Sequence, residues 1–483
     1  MRLPRTPNRF RTGFLQCLFC TVLISVSVPF QASAQESVNT HSATIPYNGK
    51  VFSANWVSVD LSDPYLRIRP VIASDGIGHV ESFSSMMERS HAVAGINGTF
   101  FDAYEKDASI RYPNGLLIGS GSILHSGSNA SLLVLADHTA HLENVETQQQ
   151  ISVNHEESTY RFTAWGINKY YGDSVDDQVV WYTRSFGTQV PYTNSVKVVI
   201  ENNVVTAITE DPVTIPEDGQ VCLIGHSANN QTYVLPNIHI GDTMSMEASL
   251  SGTDLLPMVD AAVGAGPRLL SDGNIDIDYT RDGFTDPKIT TQANARSFIG
   301  VDASGQLLMG TVSSATISDM AHVLQQLGIT DAMNLDGGAS SALYARGTII
   351  TSPGRELSNA LVVERLQNPQ IQLTVNGQFV QEFRGYLTEE TSMVPMRGIL
   401  ERIGAKFEWD GTARELTVQY GTNHIRLHPD DRIMLWNGNK VVLPAAPEIV
   451  EGHIYMPLRA VIESLGGKVT WDSQLYRASL TFP

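Results

Sequence analysis

The chain has 483 residues and a formal net charge of −18, and these totals exclude some classes of protein. The length allows two to four domains. An acidic chain with no basic run is a poor partner for nucleic acid, because phosphates attract Lys and Arg. A neutral or locally neutralised ligand suits this chain better, and we predict no nucleic-acid partner.

The first 34 residues have the composition of a secretory signal peptide. Arginines precede an apolar run over 14–28, and 32–34 (Ala-Ser-Ala) supply the small residues of a cleavage site. No later segment reaches about 20 consecutive apolar residues. We therefore expect a signal peptide at 1–34, no transmembrane segment after its removal, and a secreted, extracellular or cell-surface-associated protein.

Cysteine usage adds one expectation. Cys17 and Cys20 fall within the signal, which leaves Cys222 in the apolar run "VCLIG". A lone thiol forms no internal disulfide, so we predict that Cys222 is buried and unreactive.

Strand patterns dominate the main region. "VFSANWVSVDL" (51–61) and "YLRIRPVI" (65–72) alternate apolar and polar residues and predict a hairpin. Short strands and turns are expected over 150–250. A helix is predicted where apolar residues recur at i, i+3, i+4 and i+7 and a glycine follows, at Met320, Val323, Leu324, Leu327 and Gly328. "TDAMNL" then predicts a short strand that leads to Asp336.

The tail contains an internal repeat. "MVPMRGILERIGAKFEWD" (393–410) and "YMPLRAVIESLGGKVTWD" (455–472) align without gaps, and each predicts one amphipathic helix closed by glycine. Strand-like runs flank both copies. The predicted fold class is α+β: a strand-dominated mixed α/β catalytic domain at 35–365, and a small C-terminal α+β domain of two β-helix-β repeats at 366–483. The polar stretch "LQNPQ" separates the two.

The tail resembles the N-terminal (stalk) domain of copper amine oxidases over about 370–483, on the repeated Pro, Arg, Gly, Lys and Trp-Asp positions. The resemblance implies an appended module of exported bacterial proteins that engages cell-surface material such as a cell-wall polymer. His424 and His428 would lie about 13 Å apart on one strand, too far to share a metal ion.

Four stretches of the main region combine turn residues with polar side chains. They are "GINGTFFD" (95–102), "GAGPRLL" (264–270), "ARSFIGVDASGQLLMG" (295–310) and "NLDGGASS" (334–341). Taken singly, each has a structural explanation, since Asn-Gly and Asp-Gly-Gly are turn or bulge signals.

In this order, and with "GRELSNALVV" (354–363), the stretches resemble the phosphodiester glycosidase family over about 45–365. Bacterial members of that family are often labelled exopolysaccharide-biosynthesis proteins. Ser297, the pair 313–314 and Ala339 depart from the family's usual pattern. The resemblance implies cleavage of a sugar-1-phosphodiester, such as an N-acetylglucosamine-1-phosphate diester, at the anomeric carbon, with a carbohydrate or sugar-phosphate substrate.

The implied chemistry assigns roles to three residues. Ordinary glycosidases need two carboxyl groups because an alkoxide leaves poorly. A phosphate monoester is a stable anion and can leave without a general acid. Asp336 is therefore the candidate nucleophile or general base, and Arg296 and Arg355 are candidates to hold the phosphate.

Further residues are candidates for substrate contact. The asparagines would form hydrogen bonds with sugar hydroxyls or an acetamido group, and the aromatic ring would stack under the sugar. The glycines would allow the ligand to approach the backbone closely. These candidates are Asn97, Gly98, Phe100, Arg268, Asn334, Gly337, Gly338, Ser340, Ser341 and Ser358.

No cofactor is predicted, and a divalent-metal requirement stays open. The acidic stretch 274–286 fails the EF-hand pattern, since Tyr279 and Thr285 occupy the positions that need Gly and Glu. One alternative is a non-catalytic extracellular glycan- or cell-wall-binding protein. Another is an adhesin whose function resides in 366–483 alone. The sugar, the stereochemical outcome and the oligomeric state stay open too.

Overall fold

The computed structural model describes residues 37–172, 174–380, 385–388, 391–450, 453–473 and 476–482. The predicted signal peptide, with Cys17 and Cys20, lies outside the described residues. Within those residues, no helix has both the length and the apolar character needed to cross a bilayer.

Strands dominate the main region, as the alternating patterns predict. In chain order, β1 to β13 are Val38–Tyr47, Lys50–Val59, Leu66–Ile72, Ala92–Asn97, Leu117–Gly119, Ser122–His125, Ser128–Leu135, Ala140–His155, Ser158–Ala164, Gly166–Ile167, Val179–Tyr182, Gln189–Val190 and Ser195–Glu201. β14 to β26 are Val204–Thr209, Val213–Thr214, Gly219–Gly225, Thr243–Ser251, Val259–Ala265, Arg268–Ser271, Asn274–Ile275, Asn294–Asp302, Leu307–Ala315, Ile329–Asn334, Leu343–Ala345, Thr348–Thr351 and Asn359–Arg365. The α-helices α1 to α3 are Phe83–Arg89, Pro287–Thr290 and Ile317–Gln326.

Three large sheets and one two-stranded sheet, β12-β15, form the main region. One has the order β1-β2-β22-β21-β23-β19-β20, and the second has the order β25-β24-β4-β26-β3. The third is a large sheet, β10-β11-β16-β13-β14-β17-β8-β7-β18-β5-β6, with β9 paired to β8. Ile96, Leu132 and Met333, one from each large sheet, belong to a single buried cluster. The sheets therefore meet in a common core, which fixes the ends of β4, β21 and β23 relative to one another.

The structure confirms the predicted helix and the strand that follows it. α3 buries Met320, Val323 and Leu324, and Thr316 with Asp319 forms a capping box at its start. Gly328 ends the helix in the left-handed region, with φ +78°. β23 then runs to Asn334 and delivers the chain to Asp336.

The predicted hairpin is wrong. β2 pairs antiparallel with β1 through the turn at Asn48-Gly49, whereas β3 pairs with β26 in another sheet. The Asn-Gly turn has positive φ at both residues, which is the geometry that joins two strands tightly. The partner of β3 lies about 290 residues away in sequence, a distance that local alternation does not encode.

The tail has its own core. β27 to β39 are Gln372–Val375, Gln378–Phe379, Tyr386–Thr388, Thr391–Pro395, Lys406–Asp410, Glu415–Tyr420, Asn423–Leu427, Ile433–Trp436, Asn439–Val442, Glu448–Val450, His453–Pro457, Lys468–Asp472 and Arg477–Thr481. α4 (Arg397–Arg402) lies between β30 and β31, and α5 (Leu458–Ser464) lies between β37 and β38. β30 and β37 pair antiparallel, and both helices contribute to one buried cluster.

Cys222 and the acidic stretch 274–286 lie outside the candidate site. Cys222 is fully buried in β16, and this burial raises the pKa of its thiol well above the usual range. In the acidic stretch, Arg281 forms ion pairs with Asp276 and Asp282. This stretch is therefore an ion-paired loop.

Candidate active site

Asn97 joins three segments that are far apart in sequence. Its Nδ2 donates to the main-chain oxygen of Asp336 (2.7 Å). Its Oδ1 accepts from Ser297 Oγ (2.7 Å) and from the main-chain nitrogen of Ala342 (3.0 Å). Asn97 is 1% exposed. It therefore holds the ends of β4, β21 and β23 together, and in this conformation its amide is engaged with the protein.

Main-chain contacts tighten the same junction. The nitrogen of Asp336 donates to the oxygen of Gly98 (3.2 Å). A Cβ atom on Gly98 would lie 2.0 Å from Asn359 Oδ1, which accepts a hydrogen bond from the nitrogen of Thr99. Asn359 Nδ2 in turn donates to Ser358 Oγ (2.7 Å). Gly98 is therefore required for close packing, and Ser358 supports the neighbouring strand.

Glycine is required at the two positions after Asp336 for different physical reasons. A Cβ on Gly337 would lie 2.9 Å from the carbonyl oxygen of Ala295, so a side chain there would collide with β21. Gly338 has φ +60°, which L side chains rarely adopt, and open space surrounds it. The main-chain nitrogen of Gly337 donates to Asp336 Oδ1 (2.9 Å), so the sharp turn also orients the carboxylate.

Asp336 is an enclosed carboxylate that retains partial solvent access. Burial raises the pKa of its carboxyl group to about 6. The Ser340 hydroxyl, the charge of Arg355 and the Gly337 N–H act in the opposite direction and limit the rise. A carboxyl group with this pKa is mostly ionised at neutral pH and is still basic enough to act as a base or nucleophile.

Arg355 acts electrostatically on this carboxylate and shares the ring of Tyr104 with Lys288. The guanidinium of Arg355 lies 5.2 Å from the ring centroid of Tyr104, and Lys288 Nζ lies 4.7 Å from the same centroid. Arg355 and then Lys288 lower the pKa of the Tyr104 hydroxyl. Tyr104 is 77% exposed, so it belongs to the outer rim of the cluster. Tyr104 and Lys288 were missed by sequence reasoning, because neither stands in a motif and nothing local links them to Arg355.

Arg296 is fully buried. Its Nε donates to the carbonyl of Ala315, and its Nη2 donates to the carbonyls of Lys288 and Gln292. Nη1, which lies 3.8 Å from the position of a Cβ on Gly337, is the guanidinium nitrogen without a hydrogen bond among the described residues. A two-pronged grip on phosphate by Arg296 would require the other hydrogen bonds to break.

The side chain of Arg268 is engaged by acids other than Asp336. It pairs with Asp276 and Asp331. Asp331 precedes Asp336 by five residues, about 16 Å along an extended chain. The sequence prediction placed Arg268 among the substrate contacts, whereas the structure pairs its guanidinium with these two acids.

The remaining candidates divide into two groups. Asn334 is fully buried, and its Nδ2 donates to the carbonyl of Gly266 (2.8 Å). Phe100 is half-buried, and its ring centroid lies 5.8 Å from that of Phe284. Asn334 therefore resembles Asn97 in bracing the backbone, while part of Phe100 is open to solvent.

Several buried polar atoms near this junction have no hydrogen-bond partner of good geometry among the described residues. They are Thr99 Oγ1, Asn334 Oδ1, Ser340 Oγ and Ser341 Oγ. The Ser340 hydroxyl favours the Asp336 carboxylate from nearby without forming such a bond to it. Unpaired buried groups are rare in folded proteins, so these atoms mark a junction whose hydrogen-bonding capacity is not used within the described residues.

The groups that act on the Asp336 carboxylate are the guanidinium of Arg355, the hydroxyl of Ser340 and the main-chain N–H of Gly337. This set suits an anion with neighbouring hydroxyls better than a hard divalent cation, which prefers several oxygen ligands.

Comparisons with known proteins match two family models to separate parts of the chain. Residues 194–364, which include Arg296, Asp336 and Arg355, match the family model for phosphodiester glycosidase. The chain carries a phosphodiester glycosidase domain. Residues 374–480 match the model for the copper amine oxidase N-terminal domain, so this second domain follows the glycosidase domain.

Two solved structures share the fold at low sequence identity, and a third aligns more weakly. A hypothetical protein from Synechocystis aligns with TM-score 0.60 and 22% identity over 68% of this chain, which spans 62% of that protein. A Burkholderia pseudomallei protein named "Putative exported protein" aligns with TM-score 0.55 and 19% identity, covering 65% of this chain and 74% of that one. The catalytic domain of zebrafish N-acetylglucosamine-1-phosphodiester alpha-N-acetylglucosaminidase aligns with TM-score 0.35 and 13% identity, covering 69% and 85%. No curated protein matches the chain significantly.

Proposed function

We propose that the phosphodiester glycosidase domain hydrolyses the bond between the anomeric carbon of a sugar and its phosphodiester group, with Asp336 as nucleophile or general base. One observation carries the proposal: an enclosed carboxylate with a pKa of about 6 lies beside Arg355 in the part of the chain that matches the family. Arg355 and Asp336 are oppositely charged near pH 7, so the pair can bind an anion and attack the carbon attached to it.

The leaving group explains why one carboxylate is enough. Cleavage at the anomeric carbon expels a phosphate monoester, which is stable as an anion. Positive charge therefore replaces the general acid of ordinary glycosidases. Arg355 and Lys288 on the rim, the main-chain N–H groups near Gly338 and Nη1 of Arg296 are the groups available to stabilise that anion.

The sugar would occupy the side of the cluster that carries unpaired hydroxyl and amide oxygens. Ser340 and Ser341 can each donate and accept hydrogen bonds, and Asn334 Oδ1 can accept one. The open part of Phe100 offers an apolar face for a pyranose ring. Asn97 would act indirectly, by fixing the Asp336 backbone.

The substrate class we propose is an envelope glycan or exopolysaccharide that contains sugar-1-phosphate links. The signal-like composition of 1–34 supports export to that compartment, in which the protein would be secreted or associated with the cell surface. The strongly acidic chain would be repelled by polyanions at long range, so local cations such as Arg355 and Lys288 are needed to bind a phosphodiester.

The direct experiment measures sugar release from a synthetic methyl phosphodiester of N-acetylglucosamine-1-phosphate by the purified protein. We expect turnover by the wild type, loss of more than about a thousandfold in Asp336→Asn, and retention in Asp302→Asn. Asp302 is a suitable control because its carboxylate caps the turn between β21 and β22, a role that Asn can also fill. Equal turnover in Asp336→Asn would refute the role of Asp336.

There are two non-catalytic alternatives: a glycan-binding protein that uses the same cleft, and an adhesin whose function resides in the C-terminal domain. The C-terminal domain gives the second a specific basis. Pro395, Arg397 and Trp409 line one groove, and the residues at the matching positions of the second repeat line another: Pro457, Arg459 and Trp471. Tryptophan faces are common platforms for sugar rings, and arginine binds anionic groups. We propose that these grooves bind a cell-wall polymer and hold the glycosidase domain near its substrate.

This second proposal has its own test. Trp409→Ala should reduce co-sedimentation of the protein with isolated cell walls and leave release of sugar from the soluble substrate unchanged. Trp165→Ala, at an exposed tryptophan of the main region, is the matched control. Unchanged co-sedimentation of Trp409→Ala would show that the groove lined by Trp409 does not bind the wall. Wall binding by a wild-type protein that releases no sugar would favour a non-catalytic function.

A further inference from the structure

A second cluster of polar side chains lies in the large sheet, outside the Asp336 site. His155 ends β8, and His239 and Asp242 belong to the turn that leads into β17. One potential ligand atom from each residue lies within 4.8 Å of the other two. Neither the family chemistry nor the proposed mechanism uses these residues.

The two histidine nitrogens lie near different oxygens of Asp242, at separations on either side of the ligand spacing in a small metal site. His239 Nδ1 lies 3.4 Å from Asp242 Oδ2, and His155 Nδ1 lies 2.6 Å from Asp242 Oδ1. In a tetrahedral zinc site with bonds of about 2.0–2.1 Å, ligand atoms stand about 3.3 Å apart. The first separation already fits. The second would widen by about 0.7 Å when an ion replaces the shared proton.

The surrounding backbone holds the carboxylate in place. The side chain of Asp242 is 4% exposed, and its Oδ2 also accepts a hydrogen bond from the main-chain nitrogen of His239 (2.7 Å). The turn is anchored to β14 by two hydrogen bonds, from the nitrogen of Gly241 to the oxygen of Val205 and from the nitrogen of Val205 to the oxygen of Asp242. The donor atoms are therefore arranged before any ion binds.

Access and ligand type point to the class of ion. The histidine side chains are 46% and 53% exposed, so an ion can enter from solvent and keep a water molecule. Two imidazoles and one carboxylate suit a late first-row divalent metal, whereas calcium and magnesium prefer oxygen ligands alone. We infer that His155, His239 and Asp242 bind one Zn²⁺ ion, with water as the fourth ligand. The ion would link the end of β8 to the turn before β17.

The test uses the untagged full-length secreted protein, stripped with a chelator and titrated calorimetrically with Zn²⁺. We expect one ion per chain. His155→Gln and His239→Gln should each weaken binding by more than about tenfold, since loss of even an outer-shell partner of a ligand costs that much. His141→Gln, on an exposed residue of the same strand, should bind as the wild type does.

Two further readouts separate a metal site from a simple ion-paired cluster. Co²⁺ in place of Zn²⁺ should give the intense visible absorption of a tetrahedral site in the wild type and in His141→Gln, but not in His239→Gln. Saturating Zn²⁺ should also raise the melting temperature of the wild type and of His141→Gln, but not that of His239→Gln. Absence of binding in the wild type, or equal binding in both ligand variants, would overturn the inference and leave the three residues as an ion-paired cluster.

Discussion

At Asp336, burial and charge act in opposite directions, and the balance sets the expected pH dependence. Enclosure raises the pKa of the carboxyl group to about 6, and the reaction needs the ionised form. We therefore predict that kcat/KM for the soluble phosphodiester falls about tenfold per pH unit below pH 6 and is level above it. Initial rates between pH 4 and 8 provide the measurement. A rate that increases below pH 6 would show that Asp336 acts as an acid.

Arg355 is predicted to affect both binding and this titration. Its charge lowers the pKa of Asp336, and we propose that it binds the phosphate. Arg355→Ala should raise KM at least about tenfold and move the acidic limb of the profile to higher pH. Arg365→Ala removes an exposed arginine that pairs with Asp63 and should change neither quantity. A higher KM with an unchanged acidic limb of the pH profile would show that Arg355 contributes to substrate binding and not to the pKa of Asp336.

The same carboxylate should lower the stability of the protein at neutral pH. Because its folded-state pKa exceeds the unfolded value of 3.8, the stability contributed by Asp336 is highest near pH 4 and is lost as pH rises through about 6. Asp336→Asn should raise the free energy of unfolding by about 1–3 kcal/mol at pH 7.5 and by little at pH 4. Denaturant unfolding at the two pH values measures this difference. A less stable variant at pH 7.5 would mean that pairing with Arg355 outweighs desolvation.

Sequence reasoning at the residue scale singled out Asp336 as a candidate but did not predict its surroundings. The acid stands out because two glycines follow it, and each glycine has a separate steric reason. Whether a polar side chain faces a ligand or the protein cannot be read from its type. Asn97 and Arg296 were predicted as ligand contacts, yet most of their hydrogen bonds go to the main chain and to Ser297.

At the scale of the elements, the site depends on how closely β4 approaches β26. A methyl group on Gly98 would lie 2.0 Å from Asn359 Oδ1 and displace the acceptor of the Thr99 hydrogen bond, whereas Gly338 needs only its left-handed backbone. Gly98→Ala should therefore cost about 2–3 kcal/mol of unfolding free energy, and Gly338→Ala about 1 kcal/mol. Chemical denaturation of both variants compares the two. Equal losses would contradict the close-packing role of Gly98.

The local sequence pattern was sufficient to predict elements that are determined by neighbouring residues. α3 has a regular apolar stripe, a capping box and a terminal glycine, and β23 follows directly. The pairing of β3 with β26 had no such signal, since their contact depends on the whole intervening chain. The same reason explains why Tyr104 and Lys288 were not expected beside Arg355.

Across the whole molecule, the family resemblance anticipated which segments converge. Four of the five motif stretches meet around Asn97 and Asp336, although they extend from about residue 95 to 363. The fifth, around Arg268, contributes main-chain contacts to Asn334 while its arginine pairs with Asp276 and Asp331. The order of motifs predicts the convergence of backbones, but the direction of each side chain follows from packing.

The central claim is that water attacks the anomeric carbon and that phosphate departs. Hydrolysis of the methyl phosphodiester of N-acetylglucosamine-1-phosphate in H₂¹⁸O, followed by mass spectrometry of both products, tests this directly. The account predicts that ¹⁸O enters the released sugar at its anomeric hydroxyl and is absent from methyl phosphate. Label in the phosphate product would show cleavage of the P–O bond and would contradict the assigned reaction.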